Sequence, residues 1–152
     1  MSKKSFKEKI YNNKHTYLNI SLPITREVGV KSSLFLSYLI NLDEHFRNYA
    51  KKNNIRYTQN FYRTSNQIQV DLGMSGAEQR SSIDKLSERA FITTETKFIS
   101  HIKLNCRTFY INYREILSFL DNIERKTSLG CNEEVLIGVP TTGTGGDSAN
   151  PS

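Results

Sequence analysis

Thr64-Ser65-Asn66-Gln67-Ile68-Gln69-Val70-Asp71-Leu72-Gly73-Met74-Ser75, with the residues that follow as far as Ile92, decides the fold. The stretch reads as a short helix, a tight turn at Gly73 and a second helix capped by Ser75. Glycine just past a helix supplies a backbone that can turn left-handed, and serine before the next supplies an acceptor for its unpaired amides. Ile68, Val70 and Leu72 alternate with period two, which taken alone favours a strand. A cap at Thr64 or Ser65 and a stop at Gly73 override that alternation. In the second helix Gln79, Ile83, Leu86 and Ala90 share one face, expected to point inward. Gly76, Ala77, Arg80, Ser81, Asp84 and Lys85 lie opposite, small or polar groups suited to a groove. Phe91 to Phe98 is rich in β-branched and aromatic residues and predicts a strand. A polar, basic loop follows, and Arg107-Thr108-Phe109-Tyr110-Ile111-Asn112 predicts a second strand.

Leu72-Gly73-Met74-Ser75, followed by Ile83, Leu86 and Phe91-Ile92, resembles the pattern of the winged helix-turn-helix family. Arg107 to Tyr113 resembles the closing strand of family members from phage and plasmid replication proteins. The resemblance covers residues 30–122. Three positions depart from it: Gln69 stands where a small apolar residue is usual, Val70 where a polar one is usual, and Ala90 where glycine commonly precedes the first wing strand. The resemblance implies an α+β, mainly helical fold, a winged helix-turn-helix with a small antiparallel sheet and flexible tails. It also implies a double-stranded DNA-binding protein of a mobile element, serving replication initiation or organisation, or transcriptional regulation.

The charge distribution suits a polyanionic partner. Residues 1–126 hold all 21 lysines and arginines and 12 of the 15 acidic residues, a net +9, while residues 127–152 carry −3. A basic folded part attracts nucleic acid, although such a charge also serves solubility alone. Residues 1–16 are expected to form a flexible basic leader, 17–125 the DNA-binding domain, and 126–152 a flexible low-complexity tail. Within that tail Val135 to Val139 is a short apolar patch, and Thr141 to Ser152 is small, polar and rich in glycine. No apolar stretch is long enough for a membrane span or a secretory signal, so a cytoplasmic location is expected. Two cysteines, Cys106 and Cys131, form no paired motif, and no metal or cofactor is expected.

Along the chain, Tyr17-Leu18-Asn19-Ile20-Ser21-Leu22 alternates up to Pro23 and predicts a short strand. Lys31-Ser32-Ser33 opens a long helix to about Ala50, capped by Ser32 or Ser33, with Phe35, Leu39, Leu42 and Phe46 on its apolar stripe. That stripe serves the core, and its width also admits a partner subunit. Phe61-Tyr62-Arg63 predicts a strand beside the hairpin. Asn112 and Glu115 form a capping-box pattern for a last helix, whose stripe of Tyr113, Ile116, Leu117, Leu120 and Ile123 fits either packing onto the domain or a two-fold dimer.

No catalytic motif is present, and Asp43-Glu44-His45 reads as a solvated helix face, so no enzyme is expected. On the winged-helix reading the second helix enters the major groove. Its first residues, Ser75, Gly76 and Ala77, approach the DNA closely, Arg80 contacts a base, and Ser81 and Lys85 contact phosphate. From the wing, Lys97, His101, Lys103 and Arg107 grip the backbone or the minor groove. The expected partners are double-stranded DNA, with a second copy of the chain and replication or transcription proteins as further candidates. The alternative is a winged helix that binds another protein and no specific DNA.

Overall fold

Ser21, Gly29, Thr64 and Ser75 each stand at the start of a helix. The computed structural model describes residues 18–137, with side chains as far as residue 127. The leader 1–16, Tyr17, Gly138, Val139 and the glycine-rich segment lie outside the described residues. In chain order the elements are α1 (Leu22–Val28), α2 (Val30–Lys52), β1 (Asn60–Tyr62), α3 (Ser65–Leu72), α4 (Gly76–Glu88), β2 (Ile92–Ile99), β3 (Leu104–Ile111) and α5 (Tyr113–Ile137). The fold is α+β and mostly helical, with an antiparallel sheet in the order β1-β3-β2.

Four expectations about the extent of the elements are corrected. The alternation at Leu18 to Leu22 does not make a strand. Instead Ser21 caps α1 by accepting from the Ile24 amide, and Pro23 sits in the first turn, where its missing N–H costs nothing. The long helix α2 begins earlier than Lys31. Its N-cap is Gly29 at φ 89°, and Ser32 and Ser33 are buried inside the helix, with the Ser33 hydroxyl 2.8 Å from that of Thr25 on α1. Ala90 does not join the inward stripe, because α4 ends at Glu88 and Ala90 lies beyond it, exposed, at φ 59°. Strand β3 begins at Leu104, not Arg107, so the hairpin loop shrinks to residues 100–103.

The helix at α3 forms despite its period-two apolar residues. Thr64 and Gln67 make a reciprocal capping box, and Gly73 ends the helix at φ 71°. Only Ile68 of the three alternating residues is buried, and Val70 is 77% exposed. Two ends satisfied locally outweigh one apolar alternation.

The core lies between α2, the inner faces of α3 and α4, and one face of the sheet. Phe35, Leu36 and Leu39 of α2 and Leu86 of α4 are at most 2% exposed. Aromatic rings run through it in a row, Phe35 to Phe109 to Phe61 to Phe46, with centroids 6.1, 5.9 and 5.7 Å apart. Phe61 and Phe109 are cross-strand partners, so the register itself brings two of these rings together.

Asp43 is not on a solvated face. It is 1% exposed and its carboxylate accepts from Arg47 at 2.8 Å, Tyr57 at 2.7 Å and Tyr113 at 2.5 Å. This carboxylate joins α2 to the segment before β1 and to the residue after the sheet. Burial and the bond to Asp43 push both the Tyr57 and Tyr113 hydroxyls well above the usual tyrosine range.

The chain divides into two units at Tyr113 and Arg114. The second contains most of α5, which continues to Ile137 and so passes through the change of composition at Lys126.

Candidate nucleic-acid interface

The turn between α3 and α4 is built around a buried glutamine. The Gln79 side-chain amide donates to the carbonyls of Ser65 at 3.0 Å and Met74 at 2.9 Å, and accepts from the Ser65 hydroxyl at 3.0 Å. Ser75 and Glu78 form a second capping box, so the Ser75 hydroxyl is already occupied by the Glu78 amide at 3.2 Å. Ion pairs pin α4 at both ends: Lys31 to Glu78 near its start and Glu27 to Arg89 just past its end. The Lys31 ammonium, and behind it the Ser75 amide, hold the Glu78 carboxyl down at about 2.

Anchored this way, α4 turns Ile83 and Leu86 inward and leaves Ala77, Arg80, Ser81 and Lys85 exposed. The side chains of Arg80, Ser81 and Lys85 make no hydrogen bond or ion pair to other described residues. Gly76 is half-buried, and a Cβ there would stand 3.5 Å from Nη1 of Arg80, so the guanidinium folds back along the first turn of the helix.

The hairpin separates the remaining candidates. Directly opposed residues of an antiparallel pair share a face, and successive residues alternate. Thr96 opposes Arg107, and both share the face of the buried Phe109, the one turned towards α4. Lys97 opposes Cys106 and projects from the other face, where it lies 3.5 Å from Glu95. His101 in the loop is bound to that other face as well, its Nε2 lying 2.8 Å from the Tyr62 hydroxyl. Lys103 is exposed in the loop at φ 54°. Arg80 and Arg107 are therefore brought together, whereas Lys97 and His101 are directed away.

Between α3, α4 and the hairpin lies a cleft of about 360 Å³. Ile68, Ile83 and Phe109, each buried, form its floor, and Arg63, Arg80 and Arg107 stand around it. No acidic residue lines it. Arg63 belongs to the site but was not among the sequence candidates, since its place at the end of a predicted strand carries no sign of the cleft. It donates to Asp71 at 2.6 Å and to the Tyr38 hydroxyl at 3.0 Å, and Tyr38 donates to Asp71 at 2.5 Å. Burial, then the Asp71 carboxylate, raises the Tyr38 hydroxyl to about 12. Burial works against the charged form of Asp71, yet the bonds from Arg63 and Tyr38 keep its carboxyl below the ordinary value.

Among the described residues no group of histidine, cysteine or acidic side chains is arranged to hold a metal ion. No helix there is long and apolar enough to cross a membrane. Comparison with protein-family models, with curated proteins and with solved structures finds no match.

Proposed function

We propose that the chain is a winged-helix protein that binds double-stranded DNA, with α4 in the major groove and the β2–β3 hairpin as the wing. Its role on this reading is replication initiation or organisation, or transcriptional regulation, for a mobile element such as a phage or plasmid, in the cytoplasm. The observation that carries the proposal is the outward face of α4. Arg80, Ser81 and Lys85 stand there exposed and without partners among the described residues, beside a cleft surrounded by arginines. The order helix, strand, helix, helix, hairpin supports it, as does the net +9 of residues 1–126.

On this reading Arg80 is the candidate for guanine, whose N7 and O6 match a guanidinium fork, and Lys85 and Lys103 are candidates for phosphate. Fluorescence anisotropy against duplex fragments at two salt concentrations tests the reading. Binding that weakens steeply with salt and resists mixed competitor DNA is expected, because phosphate neutralisation releases counterions. Sizing the complex counts the copies bound. Phe98 and Leu104, 63% and 55% exposed on the hairpin, favour the second reading, a protein-binding winged helix. Absence of DNA binding at low salt would select it.

A further inference from the structure

Arg80 and Arg107 reach one cleft from different walls, α4 and β3, and neither has an ion-pair partner among the described residues. The third arginine there, Arg63, is already paired with Asp71. Two guanidinium charges over an apolar floor, with no acid in the lining, raise the local potential because the low-dielectric wall focuses their field. An anion relieves that repulsion, and the planar fork of arginine matches the oxygens of a phosphate.

The cleft is larger than a bare phosphate requires. Its volume of about 360 Å³ falls at the small end of ligand sites, which run from about 300 to 1,000 Å³. Thr96 and Asn105 add a hydroxyl and an amide in the lining, both without side-chain partners among the described residues. We propose that the cleft holds one nucleotide unit, its phosphate clamped by Arg80 and Arg107 and its sugar beside Thr96 and Asn105. The unit comes either from the backbone of DNA or from a free nucleotide. Only the first source rests on the DNA-binding reading above.

The test follows the amide spectrum of the full chain, labelled with nitrogen-15, during titration with thymidine 5′-monophosphate. Saturable shifts are expected at Thr96, Asn105 and Arg107. Arg80→Ala and Arg107→Ala are each expected to weaken binding about tenfold or more, the loss of one charge-assisted contact, with an otherwise preserved spectrum. Arg107→Lys keeps the charge but loses the fork and is expected to fall between. Lys51→Ala, a matched loss of charge outside the cleft, leaves the shifts unchanged. Duplex DNA added afterwards identifies the source: displacement of the nucleotide points to the DNA backbone, and persistence of the shifts points to a free nucleotide. Absence of saturable shifts at the cleft, or unaltered binding by Arg107→Ala and Arg80→Ala, overturns the proposal. If the nucleotide binds while duplex DNA does not bind at all, the cleft stands and the DNA-binding reading falls.

Discussion

Gln79 and Ser65 hold each other by two hydrogen bonds across the α3–α4 turn, each 3.0 Å long, with the side chain and the backbone of Ser65 both engaged. A third bond from Gln79 reaches the Met74 carbonyl at 2.9 Å. A buried polar side chain with its donors and acceptor all matched sets the angle at which α4 leaves the turn, and hence which side chains it presents outward.

Gln79→Leu retains the bulk but strands the buried Met74 carbonyl and removes two part-buried bonds to the exposed Ser65. A loss of about 1–3 kcal/mol is expected, the cost of unsatisfied buried groups, visible as a lower urea midpoint with an unchanged slope. An unaltered midpoint would mean that the turn is held by its caps alone.

Ala90 occupies the left-handed region at φ 59°, held there by Asn112, whose side-chain amide donates to its carbonyl at 2.7 Å. A Cβ is penalised in that conformation, and glycine is not. Ala90→Gly is therefore expected to stabilise the fold by about 0.5–1 kcal/mol, after allowing for the greater freedom of glycine in the unfolded chain. Thermal unfolding measures it, and a lower midpoint would contradict the backbone argument.

Asp43→Ala removes the acceptor of three donors, leaving the Tyr57 and Tyr113 hydroxyls and one Arg47 bond unmatched. Arg47 is half-exposed and rehydrates, so the expected cost is that of the two tyrosine hydroxyls left unmatched, about 2–4 kcal/mol. Tyr57→Phe, which removes a single bond, is expected to cost about 1 kcal/mol. If the two variants unfold at the same urea concentration, Asp43 is not the hub.

Stability is expected to fall at both extremes of pH. Tyr38 keeps its proton to about 12 in the folded state against 10.0 ordinarily, and Tyr57 and Tyr113 are raised as well. Above 10 the unfolded chain therefore binds fewer protons than the folded one, and this contribution, full below 10, is lost as pH rises through about 12. On the acid side Glu78 titrates at about 2 instead of 4.5, and Asp71 is also lowered. Their contribution is full above 4.5 and is lost as pH falls through about 2. Urea midpoints across the pH range check both limbs, and Tyr38→Phe is expected to flatten the alkaline one.

Arg80→Ala is expected to weaken DNA binding, with relaxed sequence preference where Arg80 reads a base and with none where it clamps a backbone phosphate in the cleft. Lys103→Ala is expected to weaken binding to all sequences alike, lowering the salt slope by about one. A competition assay separates these patterns. Loss of neither would sink the docking of α4 in the groove.

Punctuation residues made much of the fold legible. Thr64, Gly73 and Ser75 act on amides and carbonyls within three or four residues of themselves, so α3 and α4 were readable from order alone, even against the alternation of Ile68, Val70 and Leu72. The same local chemistry acts at the start of α1. Ser21 and Pro23 are a cap and a first-turn proline, a local signal that outweighs a short run of alternating residues with no neighbouring strand to pair with. The outward face of α4 was also legible, since helical periodicity separates Arg80, Ser81 and Lys85 from Ile83 and Leu86.

The sequence by itself determined the α+β class, the helix-turn-helix order and the basic character of residues 1–126, because caps, periodicity and charge act over a few residues or by simple addition. Tertiary structure alone decided the use of each polar group. Asp43 looks like any helical carboxylate until Tyr57 and Tyr113, 14 and 70 residues away, close over it. Arg63 and Arg107 meet Arg80 at one cleft only once β3 pairs with β1 and β2, and the strand register sends Arg107 towards α4 and Lys97 away from it. A one-residue slip would exchange them, because strand side chains alternate between the two faces of the sheet, and neither residue's immediate neighbours specify which face packs on the helix.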